Sequence, residues 1–109
     1  VAEGDDARIA RWTAQMERLG DGLRDIPHTA VRIVRDRRNG TPTVELTLDE
    51  AALGLDALEL VRRLQDGRPS IAANPSRVQD GIVLFAPVAL RPDDERTIAE
   101  RVRAILAAG

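Results

Sequence analysis

From Asp5 to Leu23 the apolar residues Ile9, Trp12, Met16, Leu19 and Leu23 recur at steps of three and four. That spacing places them on one stripe of an amphipathic helix, with Arg8, Arg11, Gln15, Glu17 and Arg18 on the polar side. Gly20 and Gly22 are expected to loosen the helix end, and Ile26-Pro27 to stop it. The period then changes from helical to two. Across Thr29 to Arg37, Val31 and Ile33 alternate with Arg32 and Val34, and β-branched side chains suit such a pleated surface. Asn39-Gly40 tolerates the positive φ of a type I′ turn, so the alternating run Val44 to Leu48 is expected to return as an antiparallel partner. Pro42 then falls near a strand start, where a missing N–H is tolerated.

Beyond this hairpin, Asp49 or Asp56 can cap a helix carrying Leu58, Val61 and Leu64. Gly67 is expected to end it in a left-handed conformation, with Pro69 following. Ser70 to Ala73 and Ile82 to Phe85 read as two more strands, joined by a Pro/Ser/Asp/Gly loop from Pro75 to Gly81. Pro92 marks the start of a last helix, whose stripe is Ile98, Val102 and Ile105. The predicted order is α-ββ-α-ββ-α. It corresponds to an α+β two-layer sandwich, in which an antiparallel sheet of about four strands carries helices on one face.

Composition narrows the chemistry. A chain of 109 residues holds one core and one domain. With 43% apolar and 31% charged residues and a net charge of -2, it is globular and an unpromising partner for nucleic acid or an anionic membrane. No apolar run approaches the roughly 20 residues that span a bilayer, and no signal-peptide pattern opens the chain, so the expected setting is cytoplasmic. All 16 basic residues are arginine and cysteine is absent. A lysine Schiff base, a thiol nucleophile, a thiolate metal site and a disulfide are therefore excluded by inventory.

Few residues stand out as candidate chemistry. His28 is the sole histidine and has no second His or Cys with which to bind metal, so a structural or surface role is expected and no metal site is assigned. Arg37 and Arg38 read as a solvated hairpin tip. Asp93, Asp94 and Glu95 read as carboxylates matched to a helix N-terminus, and Trp12 as a packing anchor. No catalytic residue and no cofactor ligand is assigned within the chain. The stretch from Gly67 to Pro75 is the exception. Its helix end, rigid proline and short strand would bring Asn74, Arg77 and Arg68 to one strand end as candidate substrate-binding groups, although Asn74 before Pro75 reads first as a turn former.

Four runs, taken in order, resemble a known family: Thr43–Leu55 (TVELTLDEAALGL), Leu60–Ile71 (LVRRLQDGRPSI), Gly81–Phe85 (GIVLF) and Ala89–Glu95 (ALRPDDE), followed by a closing amphipathic helix. Together they resemble the C-terminal small domain of the selenocysteine-synthase-like group of fold-type I pyridoxal-phosphate enzymes. That group includes L-seryl-tRNA(Sec) selenium transferase and D-glucosaminate-6-phosphate ammonia-lyase. The resemblance implies that a large domain of the same polypeptide holds pyridoxal phosphate through its own lysine, and that this chain closes over a small substrate, in a transferase or lyase that forms a homo-oligomer. One departure is visible. The family often carries an arginine shortly after the Pro-x-Ile pattern, whereas here Ile71 is followed by Ala72, Ala73 and Asn74, which leaves the substrate open and points away from a true selenium transferase. The alternative is a standalone α/β interaction or regulatory module without catalysis. An autonomous small hydrolase ranks third, since the nucleophile constellation is missing.

Overall fold

The structure, a computed structural model, describes residues 2–35, 37–38, 40–68, 70–87 and 94–108, with side chains described between residues 7 and 107. In chain order the elements are α1 (Ala2–Leu23), β1 (Thr29–Arg35), β2 (Pro42–Leu48), α2 (Glu50–Leu53), α3 (Ala57–Asp66), a 3-10 turn (Val78–Asp80), β3 (Ile82–Phe85) and α4 (Asp94–Ala108). The strands form one antiparallel sheet in the order β1-β2-β3. Its inner face presents Val44, Leu46, Leu48, Val83 and Phe85, all buried, beneath α1, α3 and α4. The α+β two-layer architecture predicted from the sequence is the one observed.

α1 runs through Gly20 and Gly22 instead of ending loosely at them. An added Cβ would lie 3.4 Å from Val31 Cγ1 at Gly20 and 2.9 Å from Ala99 Cβ at Gly22. The missing side chains therefore let α1 settle against the sheet and against α4. Met16, Leu19 and Leu23 are fully buried, but Ile9 and Trp12 are only half-buried, so Trp12 is not the packing anchor its place on the stripe predicts. The reason is length. A helix of 22 residues extends about 33 Å, whereas strands of seven residues extend about 23 Å, and the first turns of α1 overshoot the sheet. Trp12 instead lies under the Arg8 guanidinium, 5.9 Å from its ring centre.

The Gly22 contact yields a measurable expectation. Alanine there gains up to about 1 kcal/mol of helix propensity, while overlap with Ala99 in a packed interface costs about 1–3 kcal/mol. Gly22→Ala should therefore destabilise slightly in chemical denaturation, and Gly22→Val more. In a double-mutant cycle with Ala99→Gly, the pair should be more stable than the sum of the single changes by at least about 0.5 kcal/mol. Strict additivity would show that the close approach carries no energy.

β1 and β2 form the predicted hairpin, but Arg35 pairs with Pro42, so six residues connect them and not two. Gly40 has φ 72°, and Asn39 lies outside the described residues. Pro42 opens β2, and with no N–H it is a natural limit to the ladder. Both proposed caps are used. Asp49 Oδ1 accepts from Ala52 N at 3.3 Å to start α2, and Asp56 Oδ1 accepts from Glu59 N at 2.8 Å to start α3, with left-handed Gly54 (φ 70°) separating the two helices. The buried stripe of α3 is Ala57, Leu60, Val61 and Leu64, an i, i+3, i+4, i+7 set, which turns Leu58 outward to 48% exposure.

Two further expectations are corrected around the end of α3. Gly67 is extended (φ −80°, ψ −178°), not left-handed. A Cβ there would meet only the Arg101 guanidinium, the movable end of a flexible side chain, whose Nη2 donates to Arg63 O at 3.1 Å across the helix end. Ser70 to Ala73 forms no strand. Ile71 N donates to Leu64 O (2.9 Å) and only Asn74 bridges to β3, its N–H donating to Leu84 O (2.9 Å), after which Pro75 has no donor to extend a ladder. The fourth strand position is one residue wide. Pro69, Ala89, Pro92 and Asp93 lie outside the described residues.

Candidate site on the open face of the sheet

Because side chains alternate along a strand, the residues between the core positions of β2 point away from the helices. Glu45 is one of them, yet it is only 8% exposed. It is enclosed by arginines from both sides. Across the ladder Arg32 opposes it and donates Nη2 to Oε1 at 3.1 Å, while Arg77 Nη1 lies 3.7 Å from Oε2. Arg77 is also anchored by its own loop, its Nε donating to Asp80 Oδ2 at 3.0 Å. Around this group lies a shallow depression of about 410 Å³ lined by Ala30, Arg32, Glu45, Thr47, Arg77 and Ile82. Arg32 and Arg77 keep 72% and 45% of their side chains exposed. Each guanidinium has five N–H donors in a planar fork, so two cations held by one buried carboxylate retain donors for an external carboxylate or phosphate.

The three substrate-binding candidates occupy related but distinct places. Asn74 and Arg77 share the loop that leads into β3. Asn74 Oδ1 accepts from Ser76 N at 2.9 Å, so its side chain makes the turn in this structure, while Arg77 reaches the depression. Arg68 is exposed just after α3 and is not among the residues that line the depression. Arg32 and Glu45 were not among the candidates. The signal that reveals them is the ladder itself, and a two-residue turn at Asn39-Gly40 would have placed Arg32 opposite Thr47 instead.

Two other polar groups have clear roles. Glu95 was expected to serve only as an acidic residue near a helix start, but it is buried and joins α4 to α1. Arg18 Nε donates to Oε2 at 2.9 Å, and Gln15 Nε2 donates to Oε1 at 3.1 Å. Burial raises the Glu95 pKa, but the hydrogen bonds from Arg18, its own backbone and Gln15, together with the Arg18 charge, outweigh burial and hold it below the ordinary 4.5. His28 is exposed with φ 64° and lines an apolar cleft of about 420 Å³ with Ile26, Leu53, Arg103 and Leu106. Its carbonyl accepts from Asp49 N at 2.9 Å, so the residue fastens the start of β1 to the end of β2. Arg37 and Arg38 are exposed in the hairpin connection.

A structural comparison matches this arrangement to the solved structure of D-glucosaminate-6-phosphate ammonia-lyase, with a TM-score of 0.78 and 20% identity, covering 87% of this chain and 26% of that one. The chain has the fold of one quarter of that enzyme. The resemblance read from the four sequence runs thus holds at the level of fold. In sequence, the chain is 31% identical over 107 residues to a 5′-C-glycyluridine monooxygenase-decarboxylase from a Streptomyces species, covering 97% of this chain and 27% of the relative. No family model matches it. The chain therefore spans about a quarter of the length of both proteins. Among the described residues, no helix is long and apolar enough to cross a membrane.

Proposed function

We propose that this chain is the small domain of a fold-type I pyridoxal-phosphate enzyme, a transferase or lyase acting on an amino acid or related amine-bearing molecule. The observation that carries this reading is the shape of the two matches. Each covers almost all of this chain and about a quarter of a much longer enzyme, as a module inside a larger polypeptide would. Both relatives are named for reactions on amine-bearing molecules, an amino-sugar acid and a glycyl nucleoside, which supports the substrate class. The 109 residues contain no lysine and so do not fit the anchoring of the aldehyde cofactor; on this reading the rest of the polypeptide anchors it and, when bound, it supplies the electron sink. The part left to this chain is closure, exclusion of water and the presentation of donors to the substrate.

Within that role, Arg77, Asn74 and Arg68 are the groups we assign to the substrate side. Arg77 has the best geometry, because it is held by Asp80 and Glu45 while nearly half its side chain remains exposed. The working enzyme is expected to be a cytoplasmic homo-oligomer. Reading the gene across the codon for Val1 and purifying the whole product tests the proposal. The product should carry a lysine-bearing domain, show the visible absorbance of bound pyridoxal phosphate and turn over an amine-bearing substrate. Deleting residues 1–109 should leave the absorbance and abolish turnover. In the whole enzyme, Arg77→Ala should raise KM about tenfold or more with a smaller change in kcat, as loss of a charge-assisted contact does. A product that lacks a cofactor-binding domain would refute the assignment.

A further inference from the structure

The apolar cleft beside His28 shares no lining residue with the depression on the open face of the sheet. Three segments meet around it: the connection from α1 to β1, α2, and the last turns of α4. Its floor is Ile26, Leu53 and Leu106, core residues that are 6%, 9% and 6% exposed. Pro27, Ala52 and Ala107 form an exposed apolar rim. The volume of about 420 Å³ lies within the range of roughly 300–1,000 Å³ that takes up whole small molecules. Two polar side chains complete the lining. Arg103 can only donate and the His28 ring offers an N–H, while no carboxylate among the described residues lines the cleft. We infer that this cleft binds a small apolar carboxylic acid, with its hydrocarbon part on Ile26, Leu53 and Leu106 and its carboxylate at Arg103 and His28. The inference is independent of the reading given under Proposed function.

Both donors are positioned by the fold itself. Arg103 Nη2 donates to Gly22 O at 2.7 Å, near the end of α1, and also meets Asp25 Oδ1. These bonds cross from α4 to α1 and set the direction of the guanidinium, which lowers the ordering cost of using it to bind. Asp25 is 72% exposed and outside the lining, so it orients the arginine from the solvent side, where its charge is screened. The acids of the α2 segment are turned to backbone groups instead, Asp49 Oδ1 accepting from Ala52 N and Glu50 Oε2 from Ala57 N. His28 stands at φ 64°, a left-handed conformation uncommon outside glycine, and its carbonyl accepts from Asp49 N, which fixes the backbone that carries the ring. The lining selects the ligand class. An apolar amine would bring a cation beside Arg103, where like charges repel. A neutral hydrocarbon would forgo the charge-assisted hydrogen bond that a carboxylate makes with a guanidinium.

Calorimetric titration of the whole gene product with octanoate, below the concentration at which the probe self-associates, tests the inference. Saturable binding is expected. Octan-1-ol and octylamine should bind about tenfold more weakly or worse, the factor that a charge-assisted hydrogen bond contributes. Shortening the acid to hexanoate should weaken binding by up to about fourfold for each methylene withdrawn from the cleft. Ala52→Glu and Ala107→Glu place a carboxylate at exposed rim positions and leave the core untouched. Each should weaken octanoate by about tenfold or more through like-charge repulsion, whereas Ala52→Gln and Ala107→Gln, of similar size, should cost about threefold or less. Arg103→Gln should weaken it as far as the acidic variants do, with urea midpoints confirming that every variant folds. Equal affinity for octanoate and octan-1-ol, or binding indifferent to the acidic changes, would overturn the inference. Absence of saturable binding would overturn it as well, and is the result expected if another part of the polypeptide or a second copy of the chain covers the cleft.

Discussion

Replacing Phe85 with alanine is expected to lower stability by about 3–5 kcal/mol, the range for deleting a buried aromatic ring from a packed core. Phe85 closes β3, pairs with Val44 across the ladder and is wholly inaccessible. It is also the sole phenylalanine, and one of two aromatic residues in the chain. The remaining core is built from aliphatic side chains, with Leu60, Leu64 and Val83 among those fully buried. These cannot follow a receding ring, so the cavity stays largely open and the full penalty is felt. Domains of this size are stable by only about 5–15 kcal/mol, so the variant should be largely unfolded at moderate urea concentrations that leave the parent intact. Phe85→Leu should recover more than half of the loss. A loss of less than about 1 kcal/mol in unfolding free energy would mean that β3 does not pack as described.

The second large effect is expected at Glu95. Glu95→Ala removes the acceptor that holds both Arg18 and Gln15 and so unfastens α4 from α1, at a cost of about 1–3 kcal/mol for losing a buried charged partner. Arg18→Ala should cost less, since the guanidinium is 57% exposed and already well solvated. The pH dependence follows from the lowered pKa. A carboxyl held below its ordinary 4.5 in the folded state contributes stability that is complete above that value and is lost as pH falls through the folded pKa. Unfolding free energy measured between pH 6 and 3 should therefore fall more steeply for the parent than for Glu95→Gln. Identical slopes would remove Glu95 from the account of acid stability.

These two positions also show where reasoning from sequence succeeds and fails. Phe85 was legible as the end of a strand, because Ile82 to Phe85 follows a turn-forming loop that closes at Gly81 (φ 76°), but its place at the centre of the core was not. Glu95 was legible as a residue near a helix start, and its partners were not, since they lie 77 and 80 positions away in α1. The open-face site failed on register. Asn39-Gly40 suggests a tight turn, but the ladder closes at Arg35 and Pro42, two residues out of step. A shift of two preserves which face each side chain occupies, so the core remained correct while Arg32 was assigned the wrong neighbour. Leu58 and Trp12 failed for a related reason. A stripe marks which side of a helix is apolar, but not how far the covering sheet reaches or how the helix is rotated by a residue.

The chain's own residues determined the periods of its helices and strands, the helix caps at Asp49 and Asp56, the two-layer class and the exclusion of lysine and thiol chemistry. All of these depend on interactions within a few residues or on simple inventory. Only the tertiary structure decided that Gly22 makes room for Ala99, that the Arg101 guanidinium reaches the end of α3, that the fourth strand shrinks to Asn74, and that Arg32, Glu45 and Arg77 meet on one open face. Each of those depends on distances between segments far apart in sequence, which are set by how the layers pack, and the local pattern carries no record of them.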